Sequence, residues 1–397
     1  MILLSHPTGN EFVRAALDAF DRAGMLGEFW TGLSWNPKSA MNPLLPPRLR
    51  RTLERRAFSE TIRSRTHTVP LREILRLTIG AFSIDAVLRD LDRKVADHLR
   101  KIDSVDSVYA YEDAALETLR AARDRGLKRV YDLPIAYWQT SQRLLREEAE
   151  RYPDWEPTLV GTRDSEEKLA RKTEELELAQ LVICPSNFVL ESLPAEARAQ
   201  KQCVVAPFGS PDVDPYRDGG KKSGSLRLLF AGALTQRKGL ADLFAAMKIL
   251  NSNNVELVVM GSLLRPLDWY RDRFRDFIYE PPRPHGEVLR LMQSCDVFVL
   301  PSIVEGRALV QQEAMACGLP VIATKNGGAD DAIVDGETGF LVPIRSPEAI
   351  AEKINWFLSN RANLDGMGIA ARKRAAEFTW RGYGEKIVAA VRALTCR

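Results

Sequence analysis

Leu228-Leu229-Phe230-Ala231-Gly232-Ala233-Leu234-Thr235-Gln236-Arg237-Lys238-Gly239-Leu240 is an apolar run, a glycine turn and two adjacent cations ahead of a helical pattern. A short apolar run bounded by turn residues suits a strand buried on both faces, the kind that parallel sheets contain. Cations just past such a strand stand where fixed positive charge and backbone N–H groups can meet phosphate. Arg237 can fork two phosphate oxygens, and Lys238 adds a point charge. Alone, the pair reads equally well as two solvated residues of a first helical turn.

Outward from this stretch the same alternation repeats. Val255-Glu256-Leu257-Val258-Val259-Met260, Val297-Phe298-Val299-Leu300 and Pro320-Val321-Ile322-Ala323 follow it. Ile2-Leu3-Leu4, Ser107-Val108-Tyr109-Ala110, Arg129-Val130-Tyr131 and Leu181-Val182-Ile183-Cys184 precede it. Apolar runs leading into longer helical patterns are the signature of βαβ units, so the class is α/β with parallel sheets. The series restarts after Ala206-Pro207-Phe208-Gly209-Ser210-Pro211 and the polar residues 218–225. A boundary near Pro207 therefore separates a first doubly wound domain, residues 1–206, from a second that begins at 207. Two such sheets facing each other would wall a central cleft with their strand ends. Residues 35–83, rich in Pro and Arg with broken periodicity, are expected to form loops and short helices.

Composition bounds the partners. The 397 residues carry a formal charge of +3, without the global basic excess that nucleic acid would require. Arg48, Arg50, Arg51, Arg55, Arg56, Arg63, Arg65, Arg72 and Arg76 crowd one stretch. It is a candidate for contact with an anionic membrane, against the alternative of a solvated arginine-rich surface. Cys184, Cys203, Cys295, Cys317 and Cys396 are scattered and odd in number, which argues against a zinc site or a disulfide framework. The first apolar run is too short for a signal peptide, and no uncharged stretch is long enough to span a bilayer. A cytoplasmic protein is expected, with peripheral contact on the inner membrane face. Asp212-Val213-Asp214 has the spacing of a metal-binding pair but sits in the interdomain connection.

Glu305 and Glu313 flank a turn that opens a helix after Val297-Phe298-Val299-Leu300-Pro301-Ser302. Glu313, about two turns in, offers an acceptor-only carboxylate to a diol such as ribose. Glu305, on the loop, can meet sugar hydroxyls, and N–H groups near Leu309 and Val310 are free for phosphate. Two glutamates at this spacing are weak evidence by themselves, since surface helices carry many.

Together with Ala314-Met315-Ala316-Cys317-Gly318-Leu319-Pro320, Gly327-Gly328-Ala329-Asp330-Asp331 and Asp335-Gly336-Glu337-Thr338-Gly339-Phe340-Leu341-Val342, these motifs resemble family 4 of the retaining, group 1 glycosyltransferases. The match covers most of residues 226–343 in the family's order. The resemblance implies the GT-B fold: an acceptor-binding domain at 1–206, a donor-binding domain at 207–375 and a helix at 376–397 returning to the first. It implies a nucleotide diphosphate sugar as donor, a saccharide or lipid-linked acceptor and no cofactor or metal. Arg237, Lys238 and Glu305 would be catalytic, and Gly9, Gly232, Gly306, Leu309, Val310 and Glu313 would complete the donor site. His285 reads as a cap or packing histidine.

Three positions in the second half depart from the family. Arg307 and Ala308 stand where Phe and Gly are common, and Asp331 replaces a Glu. In the first half, Ser5-His6-Pro7-Thr8-Gly9-Asn10 matches a small-residue loop, with Asn10 read as a helix cap or substrate contact. The family's middle-strand His is missing beside Asp132, so Asp132, Glu112 and Asp113 become the acceptor candidates, against ordinary strand-end capping. The expected activity is retaining transfer of a hexose-type sugar in cell-surface polysaccharide or glycolipid synthesis. The alternatives are a catalytically silent nucleotide-sugar-binding subunit or another GT-B enzyme such as an epimerase.

Overall fold

Strands Ile2–Ser5, Ser107–Tyr111, Leu181–Cys184 and Val297–Leu300 are buried at every position. Cover on both faces is the condition under which parallel strands are stable. The computed structural model describes residues 1–38, 50, 53–213 and 224–395. Asp214, Cys396, most of the 218–225 stretch, and Arg48 and Arg51 of the basic segment lie outside the described residues.

The first sheet contains β1 (Ile2–Ser5), β2 (Leu26–Thr31), β3 (Thr66–Thr68), β4 (Ser107–Tyr111), β5 (Lys128–Asp132), β6 (Leu181–Cys184) and β7 (Gln202–Val205) in the order β3-β2-β1-β4-β5-β6-β7. The second contains β8 (Leu226–Ala231), β9 (Val255–Met260), β10 (Phe277–Glu280), β11 (Val297–Leu300), β12 (Val321–Ala323) and β13 (Gly339–Leu341) in the order β10-β9-β8-β11-β12-β13. Both grow outward from their first strand, then jump back to its other side. That reversal opens a crevice at the strand ends between β1 and β4 and between β8 and β11, where sheets of this kind take ligands.

Within residues 35–83 the structure goes beyond loops and short helices. Thr66–Thr68 pairs in parallel with β2, and Pro70–Ile79 is a ten-residue helix closed by Gly80 in the left-handed region. The strand Thr-His-Thr carries no apolar run of its own, so only its partner reveals it.

Packing crosses the linear boundary twice. Trp380–Thr395 lies against helix Glu11–Arg22, and its Tyr383, Ile387, Val391 and Leu394 join Val13, Leu17 and Phe20 in the first domain's core. Conversely, Trp155 lies in the second domain's core, edge-on to Trp269 and Tyr270. Beside it a buried polar clasp joins the halves. Gln236 Nε2 donates to Glu148 at 2.6 Å and to Asp242 at 2.8 Å. Arg151 reaches Asp242 at 2.6 Å, and Arg345 pairs with Glu148 and with Glu147.

Candidate active site

At the β8 end, Gly232 has φ 146° and lies beneath the Lys238 stem, so that a Cβ there would come within 2.8 Å of Lys238 Cδ and Cε. Arg237 and Lys238 occupy a short 3-10 turn, Gln236–Lys238, instead of the first turn of the following helix. Thr235 Oγ1 accepts from Arg237 N at 3.2 Å, and Thr235 in turn donates to Thr158 O at 2.7 Å. Gly239, at φ 74°, then starts helix Leu240–Leu250, and a Cβ there would meet Pro301 O at 2.0 Å. The cations are thus held on a turn pinned from both domains.

Both cations converge on Glu305. Lys238 Nζ is 2.6 Å from its Oε1 and Arg237 Nη1 is 3.0 Å from its Oε2, and the glutamate is only 8% exposed. Burial pushes the Glu305 carboxyl up, but the attraction of Lys238 and then Arg237 prevails and holds it below its ordinary value. Arg237 Nη1 also donates to Val304 O at 2.9 Å.

Helix Leu309–Ala316 begins at Ala308 without a side-chain cap, and Leu309 and Val310 line the cavity. Glu313, farther along it, accepts from His285 Nε2 at 3.1 Å, so His285 bonds a candidate ligand carboxylate instead of merely capping its own helix. Burial raises the Glu313 carboxyl, partly offset by His285 and reinforced by Glu11 of the first domain. Gly306 lies against the first domain: a Cβ there would fall 1.7 Å from Pro134 O. Its carbonyl accepts from Ser186 Oγ at 2.6 Å.

Arg307 and Asp331, two of the departures, meet. Arg307 Nη1 donates to Asp331 Oδ1 at 2.7 Å and to Gly328 O at 2.9 Å, its Nε donates to Gln312 at 2.7 Å, and its guanidinium stacks 4.8 Å from the Phe378 ring. A buried cation needs a nearby anion, and the shorter Asp supplies it.

The first domain departs further from expectation. Gly9, at φ 64°, packs on Phe58, and its N–H and that of Thr8 donate to His6 Nδ1, each at 3.1 Å. Burial, then Arg56, drives the His6 imidazole down to about 3, so the ring is neutral. Asn10 precedes the helix but makes no side-chain cap; its Oδ1 accepts from Thr8 Oγ1 at 3.0 Å. Asp132 is not a cleft residue. It is 1% exposed, bonded by Tyr109 and Tyr383, and burial pushes it up to about 7. Glu112 and Asp113 form a separate cluster with Lys172, Lys168 and Arg171. None of Gly9, Asn10, Glu112, Asp113 or Asp132 lines the cavity that holds Arg237, Lys238, Glu305 and Glu313.

That cavity measures about 700 Å³, and the first domain contributes Phe12, Arg55, Pro134 and Ile135 to its wall. Phe12 stacks on Phe208 of the connection at 5.1 Å, and Gln312 donates to Phe208 O at 3.0 Å. Sequence reading passed over Phe12, Ser186, Gln236 and Gln312, whose roles arise from distant partners. A cavity of about 740 Å³ elsewhere in the first domain is lined by Arg89, Arg120 and Arg171. These already pair with Asp85, Glu167, Glu117 and Glu174, leaving little charge to offer a ligand. In the basic segment Arg56 and Arg76 pair with Glu73, Arg65 with Asp21 and Arg72 with Asp90. Among the described residues no helix is long and apolar enough to cross a membrane.

The sequence pattern of the family described as "Glycosyl transferases group 1" matches residues 216–374. A D-inositol 3-phosphate glycosyltransferase of Corynebacterium diphtheriae is 41% identical over 118 residues, which cover 30% of this chain and 26% of that protein. The match therefore spans about a quarter of that relative. Sucrose-phosphate synthase from Thermosynechococcus elongatus superposes over 100% of this chain and 99% of its own with TM-score 0.70 at 20% identity. Anabaena HepE, in complex with UDP-glucose, superposes over 99% of both chains with TM-score 0.61 at 18% identity. The chain has the GT-B fold, and its residues 216–374 carry the sequence pattern of the group 1 glycosyl transferases.

Proposed function

We propose that the protein is a retaining, metal-independent glycosyltransferase that moves a hexose-type sugar from a nucleoside diphosphate onto a saccharide or lipid-linked acceptor. The observation that carries this reading is the convergence of Arg237 and Lys238 on buried Glu305 at the β8/β11 crevice. As the bond from sugar to diphosphate breaks, negative charge grows on the leaving phosphate. Arg237, Lys238 and the first-turn N–H groups at Leu309 and Val310 stabilise that charge, and preorganised donors cost no reorganisation at that moment. A diphosphate drawing the cations toward itself frees Glu305 to bind hydroxyls of the transferred sugar. Glu313, steadied by His285, takes the ribose diol. Retention rests on the family, and the acceptor hydroxyl attacks the face the diphosphate leaves. Two fixed cations provide the electrostatic stabilisation that a divalent ion otherwise would.

The UDP-glucose bound by HepE makes a UDP-sugar the first donor to try. For the acceptor, Leu71, Ile74, Leu77, Ile79 and Ile84 form a run of exposed apolar side chains in the first domain. They favour a lipid-linked acceptor approached from a membrane surface, as in cell-surface polysaccharide or glycolipid assembly.

The test is a panel of UDP-, GDP- and ADP-sugars, with and without EDTA, read by melting temperature and donor turnover. One donor should raise Tm and be consumed regardless of EDTA, and Lys238→Ala should lose both effects. Binding without turnover, with every acceptor class supplied, would make the chain a silent nucleotide-sugar-binding subunit. No binding at all would sink the donor-site reading.

A further inference from the structure

Away from the cavity, the β2–β3 edge of the first sheet gathers another set of chemistry-bearing side chains. Glu28 and Trp30 lie two apart on β2 and so share a face, and His67 on β3 is in register with Trp30. His98, in the last turn of helix Ile84–Leu99, comes down on the same face. Its Nε2 is 2.8 Å from Glu28 Oε2, and His67 Nε2 is 3.5 Å from the same oxygen. One ligand atom from each of the three residues lies within 4.8 Å of the other two. The Trp30 ring stacks on His67 at 4.8 Å, and its Nε1–H donates to Glu28 Oε2 at 3.0 Å.

We propose that Glu28, His67 and His98 bind one divalent transition-metal ion, with zinc the best match. Two imidazole nitrogens and a carboxylate oxygen, with water in the fourth position, are a familiar zinc donor set. Bonds of about 2.0–2.2 Å in a tetrahedron put ligand atoms about 3.3 Å apart, and the two spacings to Oε2 lie on either side of that value. The alternative is a plain hydrogen-bonded triad, and two features favour an ion. Among the described residues neither imidazole has a protein partner at Nδ1, so nothing there prevents the ring proton from moving to Nδ1 and leaving the Nε2 lone pair to an ion. Three N–H groups would also crowd Oε2 while Oε1 receives none from the protein. An ion at the centre replaces two of those protons and can draw on either oxygen.

Access fits as well. The His67 side chain is 46% exposed and opens the cluster to solvent, while Glu28 at 16% and His98 at 25% form its floor. The three ligands come from three separate elements, and β3 is a three-residue edge strand with little ladder of its own. The ion would clip that edge and the helix end onto β2. None of these residues lines the transfer cavity, so the ion would act on the fold and not on the transfer site.

The experiment uses tag-free protein stripped with EDTA, titrated with zinc chloride by calorimetry and with cobalt chloride by visible absorption. One ion per chain should bind, raise Tm, give a cobalt d–d band and change the tryptophan emission through Trp30. Glu28→Gln and the double variant His67→Gln, His98→Gln should each weaken zinc at least about tenfold. Their circular dichroism and donor-induced Tm shift should match the parent. Wild-type protein that binds zinc no better than the double variant overturns the proposal. So does the absence of a d–d band in the wild type, which needs no variant to fold.

Discussion

The two domains repeat one strand order, yet their crevices have opposite chemistry. At β8/β11 the loops present two cations and a carboxylate held below its ordinary value, ready to exchange partners with a charged ligand. At β1/β4 the loops are knitted inward: His6 is neutral and accepts from its own loop, and Glu112 is paired with Lys172. Asp132, at the end of β5, is sealed beneath the last helix. Under the proposed function a diphosphate fixes what its cradle must contain, whereas an acceptor would need only backbone and apolar surface, such as the Pro134, Ile135 and Phe12 that the first domain adds to the cavity. One scaffold therefore yields a crevice of fixed charge and a crevice of shape.

The largest effect that would break this contrast is Lys238→Ala. Removing a preorganised donor at the leaving group should lower kcat/KM with the identified donor about 10²- to 10³-fold, read by steady-state turnover. A loss of less than tenfold would mean that the charge at β8/β11 is not catalytic. Next comes Gly306→Ala, where the added Cβ must displace Pro134 O from 1.7 Å. Shifting the two walls apart by even about 1 Å should lower kcat about 10- to 100-fold, with Arg237 and Lys238 untouched.

Gln236→Ala sharpens the same comparison through stability. It strips one amide from two buried carboxylates, Glu148 and Asp242, and should cost about 1–3 kcal/mol in denaturant unfolding. Because the clasp holds the turn that carries Arg237, donor affinity should fall with it.

The smallest effect concerns pH. Burial pushes Asp132 up to about 7 in the fold, above its unfolded value near 3.9, so the folded state holds a proton that the unfolded state releases. Its contribution to stability is therefore greatest below about pH 4 and declines as pH rises toward and through 7. Asp132→Asn keeps an oxygen for Tyr109 and Tyr383 and should flatten the fall in Tm between pH 5 and 8. An unchanged slope would show that Asp132 does not titrate there. Glu305 has the opposite sign: with its carboxyl held low, its stabilisation is present above its unfolded value of about 4.3 and lost as pH falls through the folded one.

What could be read beforehand follows the same division. Strands such as Val297–Leu300 are apolar throughout because both faces are covered, and that pattern survives in one dimension. Arg237, Lys238 and Glu305 stood out in the sequence only as part of a longer run of motifs, and the structure brings the three side chains together. Asp132 misled because a carboxylate at a strand end looks the same whether it faces a cleft or two tyrosines, one of them brought by Trp380–Thr395. Thr66–Thr68 was unreadable because its strand character comes from β2. Arg307 looked like a loss until Asp331 and Phe378 stood beside it.

The helix Trp380–Thr395 bears on how the protein is made. Synthesis is vectorial, and at about 5–20 residues per second the ribosome spends tens of seconds on the second domain after β7 has emerged. Throughout that interval Val13, Leu17 and Phe20 lack the cover that Tyr383, Ile387 and Val391 provide. The nascent first domain must wait with an open seam, a natural binding spot for a chaperone, and closes only when the last helix arrives.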